Sequence, residues 1–317
     1  MGRTSDTALL MTQGAASREI AERATRLAIV QLSLGLSVIV MTPILFRLSE
    51  LGPTATAFYR TCLAVPLFAG WMALERRAAA RRGDAAAPLR LHRDGIALVM
   101  GGVFFALNIV GYAWAVHFTS VANASLLSNV TPIFVAIGNF LVFRELVSRG
   151  FVAAIATAIA GVVILTSNKL EFRSDQFLGD ALAVSDALFY AFYLMVIGRL
   201  RLRLSTATIM TWSASVAALC QLAAALAAGE TLLPMTLCGW AIILTLSLVN
   251  YGMGQGCITL AMARLGATFS SVAMLSLPVG ATILAWIVLG EDLSLNQGIG
   301  GAVILASIYA ARRASRR

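Results

Sequence analysis

The chain has 317 residues, of which 59% are hydrophobic and only 12% charged, at a mean hydropathy of +0.84. One water-soluble core cannot enclose that much apolar surface, so the composition excludes a soluble enzyme or binding domain and points to an all-helical integral membrane protein. The net charge of +9 is no argument for nucleic acid, because the basic residues lack aromatic interleaving and stand at the ends of apolar segments.

Residues 1–26 are polar with charges of both signs, and no small-residue cleavage site follows the first apolar run, which predicts a retained cytoplasmic tail rather than a signal peptide. Ten apolar segments follow, at approximately 27–46, 53–74, 95–116, 120–143, 150–167, 179–198, 206–228, 237–260, 267–289 and 295–311. Each is long enough to cross roughly 30 Å of hydrocarbon as a helix. A basic tail, 312–317, completes the chain. With the amino terminus inside, cytoplasmic segments collect 20 of the 24 Lys and Arg residues, outer loops hold Arg47, Lys169 and Arg173, and Arg60 lies within the second segment. This bias predicts a multi-pass protein of the inner (plasma) membrane with both termini cytoplasmic.

A shift of 146 residues places Pro132 on Pro278, Glu145 on Glu291, Ser125 on Ser271, Ile137 on Ile283 and Val142 on Val288. Stretch 52–60 meets 205–213 at a shift of 153. The chain therefore divides into five-helix repeats at 27–167 and 179–311, joined by 168–178. Five is odd, so the second repeat enters the membrane from the opposite side, and Glu145 and Glu291 anchor helix ends at opposite surfaces. Inverted repeats of this kind are a transporter architecture, since two packings exchanged between halves give inward- and outward-open states.

Pro132 and Pro278 each fall inside an apolar run. Each removes a backbone donor and frees the carbonyl four residues earlier, Ser128 or Met274, which membrane interiors tolerate only inside protein or beside water. Ser128, Asn129 and Pro132 share one helix face, and Met274 and Pro278 another. Two readings stand: kinks serving packing alone, or walls of a central cavity.

Other features carry less chemistry. Cys62, Cys220, Cys238 and Cys257 have no paired spacing and read as packing residues. His92 and His117 lack metal-ligand spacing, "GMGQGC" (252–257) follows no strand, and no nucleotide motif or catalytic constellation occurs, so neither metal, cofactor nor enzyme is expected. Gly161 in helix 5, with Gly298, Gly300 and Gly301 in helix 10, predicts close packing against a neighbour, a homodimer partner included.

The segments "FYR" (58–60) and "LAVP" (63–66), "YAWAVHFTSVANASLLSNVTPIF" (112–134) and "AMARLGATFSSVAMLSLPV" (261–279) resemble the drug/metabolite transporter superfamily, and within it the EamA-type exporters. The resemblance covers about 27–311. It implies ten helices in two halves, a small organic solute between them, and secondary transport, by a proton, a counter-solute or neither.

Within that frame Arg60 and Asp186 are the ionisable residues inside apolar segments, and each costs about 2.5–3.5 kcal/mol at the bilayer centre unless it faces protein or water. Both lie about 10 Å from the outer ends of their helices, so an ion pair or coupling role is open. Arg60 bonding backbone carbonyls is the structural alternative. Asp186, Tyr190 and Tyr193, spaced by four and three, form one face that suits a cation or, for the tyrosines, plain packing with locally bonded hydroxyls. Gln31, Asn108, Tyr112, Asn250 and Gln255 add uncharged donors and acceptors, each of a kind that more often joins helices than binds a ligand. The expected function is efflux of an amino acid, amine or similar metabolite. Uptake of a vitamin or nucleoside-like compound, and a non-transporting scaffold, are the alternatives.

Overall fold

The computed structural model describes residues 3–82, 91–144, 148–167, 176–289 and 294–314. Glu145 and Glu291, read above as terminal anchors, lie outside the described residues. Among those described there is no strand, and eight helical stretches are long and apolar enough to cross a membrane. Their exposed faces carry Leu141, Leu219, Leu226 and Ile287, while Phe68, Phe105, Tyr193, Ile209 and Tyr251 lie in the interior. An apolar exterior of this kind is stable in lipid rather than water.

Several crossings are assembled from two helices. Helix α1 (Arg3–Ile39) stops before α2 (Thr42–Leu48), and α3 (Pro53–Cys62) before α4 (Val65–Arg82). Helix α5 (Leu91–Phe118) is continuous, whereas α6 (Val121–Ser128) and α7 (Thr131–Phe143) are separate. Next come α8 (Arg149–Thr166), α9 (Phe177–Leu200) and α10 (Thr206–Ala227). Helix α11 (Leu237–Leu244) runs through a π-helical segment, Thr245–Gln255, into α12 (Gly256–Ala273). A short 3₁₀ turn leads to α13 (Leu277–Leu289), and α14 (Leu295–Ala314) completes the order. The apolar stretch Leu237–Leu284 has 48 residues, about 70 Å if helical throughout, more than twice a hydrocarbon core. It breaks at Gly266, whose φ of 76° and ψ of 164° leave the helical region. A side chain is disfavoured there, and the boundary expected between 260 and 267 falls at this glycine.

The prolines correct one expectation. Pro132 does not kink a continuous helix and leave the Ser128 carbonyl bare; it opens α7, and the Thr131 hydroxyl donates to Ser128 O at 2.8 Å. The residue before the proline thus supplies the donor that the ring lacks. "TP" at 42–43 does the same, with the Thr42 hydroxyl 2.6 Å from Ile39 O, four residues before Pro43. Before Pro278, the Met274 carbonyl accepts from Leu277 N.

Glycines set two close contacts. A Cβ on Gly35 of α1 would stand 2.6 Å from Gly254 O, so the "GMGQGC" glycines serve helix packing, as expected. A Cβ on Gly300 would stand 2.5 Å from Leu165 N and 2.7 Å from Gly161 O. Helices α8 and α14 therefore press on each other within one chain, and Gly161, Gly300 and Gly301 meet neighbours of the same chain. Gly298 alone of that set meets nothing within 4 Å.

At one end of the molecule two loops exchange caps. Glu230 accepts from the first-turn N–H groups of Thr54 (3.1 Å) and Ala55 (2.7 Å) of α3. Glu50, just before α3, accepts from Met235 N at 3.1 Å, Thr236 N at 3.2 Å and the Thr236 hydroxyl, where α11 begins. A carboxylate at a helix N-terminus satisfies donors that the helix leaves unpaired. At the other end Arg203 pairs with Asp94 at 3.0 Å.

Candidate functional site

A cavity of about 170 Å³ lies where the broken helices meet. The α1/α2 break supplies Ile39, Val40, Thr42 and Pro43; α3 supplies Arg60; α5 supplies Phe105, Asn108, Ile109 and Tyr112. The α6/α7 break brings Ser125, Ser128, Asn129, Thr131 and Pro132. From the second half come Asp186 and Tyr190 of α9, Gln255, Ser271, and the α12/α13 break with Met274 and Pro278. Three helix breaks, each followed by a proline and drawn from both halves, thus contribute to one wall. Breaking a helix turns polar side chains and backbone inward without exposing them to lipid.

Asp186 is 3% exposed. Asn108 Nδ2 donates to its Oδ1, and the Ser128 hydroxyl to its Oδ2, so α5, α6 and α9 converge on one carboxyl group. Arg60 is equally buried, at 3%. Its Nη2 donates to Asn250 Oδ1 at 3.2 Å, and its guanidinium carbon sits 5.5 Å from the Tyr251 ring centre and 6.0 Å from that of Phe105. Cation–π contact stabilises a desolvated guanidinium. Among the described residues, the Nε and Nη1 donors have no hydrogen-bond partner. Arg60 therefore does not bond backbone carbonyls, as the structural alternative supposed. Nor does it close an ion pair with Asp186: among the described residues, each bonds uncharged groups instead.

Of the residues singled out from the sequence, Arg60, Asn108, Tyr112, Ser128, Asn129, Pro132, Asp186, Tyr190, Gln255, Met274 and Pro278 border the cavity. Gln31, Tyr193 and Asn250 do not. Tyr193 stacks under Tyr190, with ring centres 5.7 Å apart, and is fully buried beside Met210. Asn250 stands behind the wall as a bracket: Oδ1 takes Arg60 and lies 3.0 Å from the Thr42 hydroxyl, while Nδ2 donates to Val38 O at 3.0 Å. Thr42, Pro43, Phe105 and Thr131 were not anticipated at the cavity. The repeated "TP" dipeptide at 42–43 and 131–132 was the available signal.

Comparison with known proteins agrees with this architecture. A transporter of Archaeoglobus fulgidus, described as uncharacterized, is 29% identical over 268 residues, covering 83% of this chain and 88% of the relative. The pseudopaline exporter CntI of Pseudomonas aeruginosa is 26% identical over 231 residues, covering 73% of this chain and 80% of the exporter. A solved crystal structure shares the fold at a TM-score of 0.68 and 19% identity, covering 93% of this chain and 98% of that one. The model of the EamA-like transporter family matches twice, at residues 27–167 and 177–313. The chain is a multi-pass membrane transporter that belongs to the EamA-like transporter family, with one EamA domain in each half.

Proposed function

We propose that the protein is a ten-span secondary transporter that exports a small organic metabolite across the inner membrane, its two inverted halves giving the central cavity access to either side in turn. Dividing Leu237–Leu284 at Gly266 and including α14 supports the count of ten. The contacts at the two ends support the expected grouping of loops on each side of the membrane. Residues 50–55 and 230–236, both expected outside, bond each other, as do Asp94 and Arg203, both expected in the cytoplasm. The observation that carries the reading is the cavity itself, walled by broken helices of both halves and holding the buried Arg60 and Asp186. Ionisable groups at membrane depth mark solute and ion pathways. Export rather than uptake draws on the relative named as an exporter.

The test is an untargeted comparison of metabolites inside and outside cells that overexpress the protein or lack it. Export predicts a compound that rises outside on overexpression and accumulates inside on deletion. A compound depleted from the medium only when the protein is present would reverse the direction. No change in either strain, with the protein verified in the membrane, would overturn the reading.

A further inference from the structure

Two helical segments, one from each half, run from the cavity towards the end of the molecule expected in the cytoplasm. On α7 the cavity-lining Pro132 is followed at helical spacing by Ala136 and Asn139. In the segment beyond Gly266, the cavity-lining Leu275 and Ser271 lead back at the same spacing to Thr268. The two stripes meet where Asn139 Nδ2 donates to the Thr268 hydroxyl oxygen at 2.8 Å, across the halves. Asn139 is 6% exposed, and its seven-residue distance from Pro132 puts the bond about 10 Å beyond the cavity. Around it the backbones are drawn close. A Cβ on Gly138 would stand 2.5 Å from Met195 Sδ of α9, and one on Gly198 of α9 would stand 3.1 Å from Ala267 Cβ. The 146-residue shift that superimposes Pro132 on Pro278 and Ser125 on Ser271 puts Ala285 in the place of Asn139 and Ala122 in that of Thr268. An alanine side chain has neither donor nor acceptor, so the matching positions at the opposite end cannot repeat the bond.

We propose that Asn139 and Thr268 form the cytoplasmic gate of the transport path, a hydrogen-bonded closure between the halves that opens when segment 267–273 tilts about Gly266. A solute leaving the cavity between α7 and this segment has to part the pair. Gly266 suits the hinge, because its φ of 76° already interrupts α12 and separates the segment from the helix before it. A contact made in one state and absent from the other shifts the populations by its own free energy. With no counterpart at the outer end, this bond favours the state closed to the cytoplasm, by about threefold to tenfold for one bond between neutral groups. A bond serving packing alone would stabilise both states equally. The inference rests on the transporter reading for the existence of two states.

The experiment places one reporter, Ser125→Cys at the cavity, in the full-length protein with its native cysteines replaced. A membrane-impermeant thiol reagent is applied to right-side-out and inside-out vesicles, and the ratio of outer to cytoplasmic labelling rates is read. Thr268→Val, which keeps the shape and removes the hydroxyl, and Asn139→Leu are each expected to lower that ratio about threefold to tenfold, raising cytoplasmic labelling while outer labelling falls. The double variant should add little to either single one, since the same bond is lost once, and Thr268→Ser should keep the native ratio. If the single variants fail to fold, a cross-link decides. With Asn139→Cys and Thr268→Cys joined by oxidation, the reporter should stay open to the outside and lose its cytoplasmic labelling until the link is reduced. An unchanged ratio in the valine and leucine variants, a rise from both sides at once, failure of the two cysteines to join, or cytoplasmic labelling of the joined protein would overturn the gate. The transporter reading fails separately. A shifted ratio with no metabolite moved in cells would keep the gate and remove the transporter, whereas export with an unchanged ratio would do the opposite.

Discussion

Asn250→Leu removes a bracket that three elements share. The leucine is close in size but can neither accept from Arg60 nor donate to Val38 O, the two bonds made by Asn250 at 3.2 and 3.0 Å. A hydrogen bond to a charged group contributes about 1.5–3 kcal/mol and a neutral one about 0.5–1.5 kcal/mol, so the expected loss is about 2–4.5 kcal/mol. Asn250 is 1% exposed, and solvent does not discount the figure. At about 2 °C per kcal/mol for a chain of this length, unfolding in detergent should occur about 4–9 °C lower than in the native protein. Asn250→Asp is the informative partner. It keeps the acceptor and sets a carboxylate against Arg60, losing only the Val38 bond, so it should unfold above Asn250→Leu. An Asn250→Leu protein within about 1 °C of native, or an aspartate variant less stable than the leucine one, would refute the bracket.

Gly300→Ala puts a methyl against backbone atoms of α8, which cannot rotate aside, and should destabilise the protein by about 1–3 kcal/mol, while Gly298→Ala, facing open space, should be neutral or better. Equal unfolding temperatures for the two would deny the α8–α14 contact. Thr131→Val removes the donor that serves the Ser128 carbonyl before Pro132, and should lower stability by about 1–2 kcal/mol, whereas Thr131→Ser should restore it; a valine variant matching native would show that the carbonyl finds another partner. Glu50 carries a pH dependence: the Thr236 hydroxyl, and then the N–H groups of Thr236 and Met235, outweigh desolvation and hold its carboxyl below the ordinary value of 4.5. Its contribution is therefore complete above that value and fades as the pH falls through the depressed native one. Glu50→Gln should lose the corresponding part of the acid-side slope in unfolding temperature, and an unchanged slope would remove Glu50 from the outer cap.

What the sequence showed and what it hid differ by geometry rather than by chemistry. Hydropathy located the crossings because lipid demands long apolar runs, and Arg60 and Asp186 stood out because charge inside such runs is costly. Helical periodicity placed Tyr193 with Asp186 and Tyr190, yet it says nothing of depth. Seven residues carry Tyr193 about 10 Å along α9 from Asp186, past the end of the cavity. Gln31 fails likewise, since α1 reaches the cavity only at Ile39, about 12 Å further along. The π-helical segment Thr245–Gln255 has no signature in an apolar run, and its altered turn leaves Asn250 behind the wall and Gln255 on it. The threonines before Pro43 and Pro132 drew no attention in the sequence; the broken backbone shows that their hydroxyls replace missing N–H groups.

The most direct test labels the cavity from each side. Ser125 and Ser271, which the 146-residue shift superimposes, both border it, one from each half. Each is replaced singly by cysteine in a protein whose four native cysteines, at positions 62, 220, 238 and 257, have been replaced, and a membrane-impermeant thiol reagent is applied from the inside or the outside. The account predicts that both cysteines are reached from the same side in any one state, and that imposing a solute gradient transfers both together to the other. Labelling of the two from opposite sides in one state, or of neither from any side, would contradict a single cavity with alternating access.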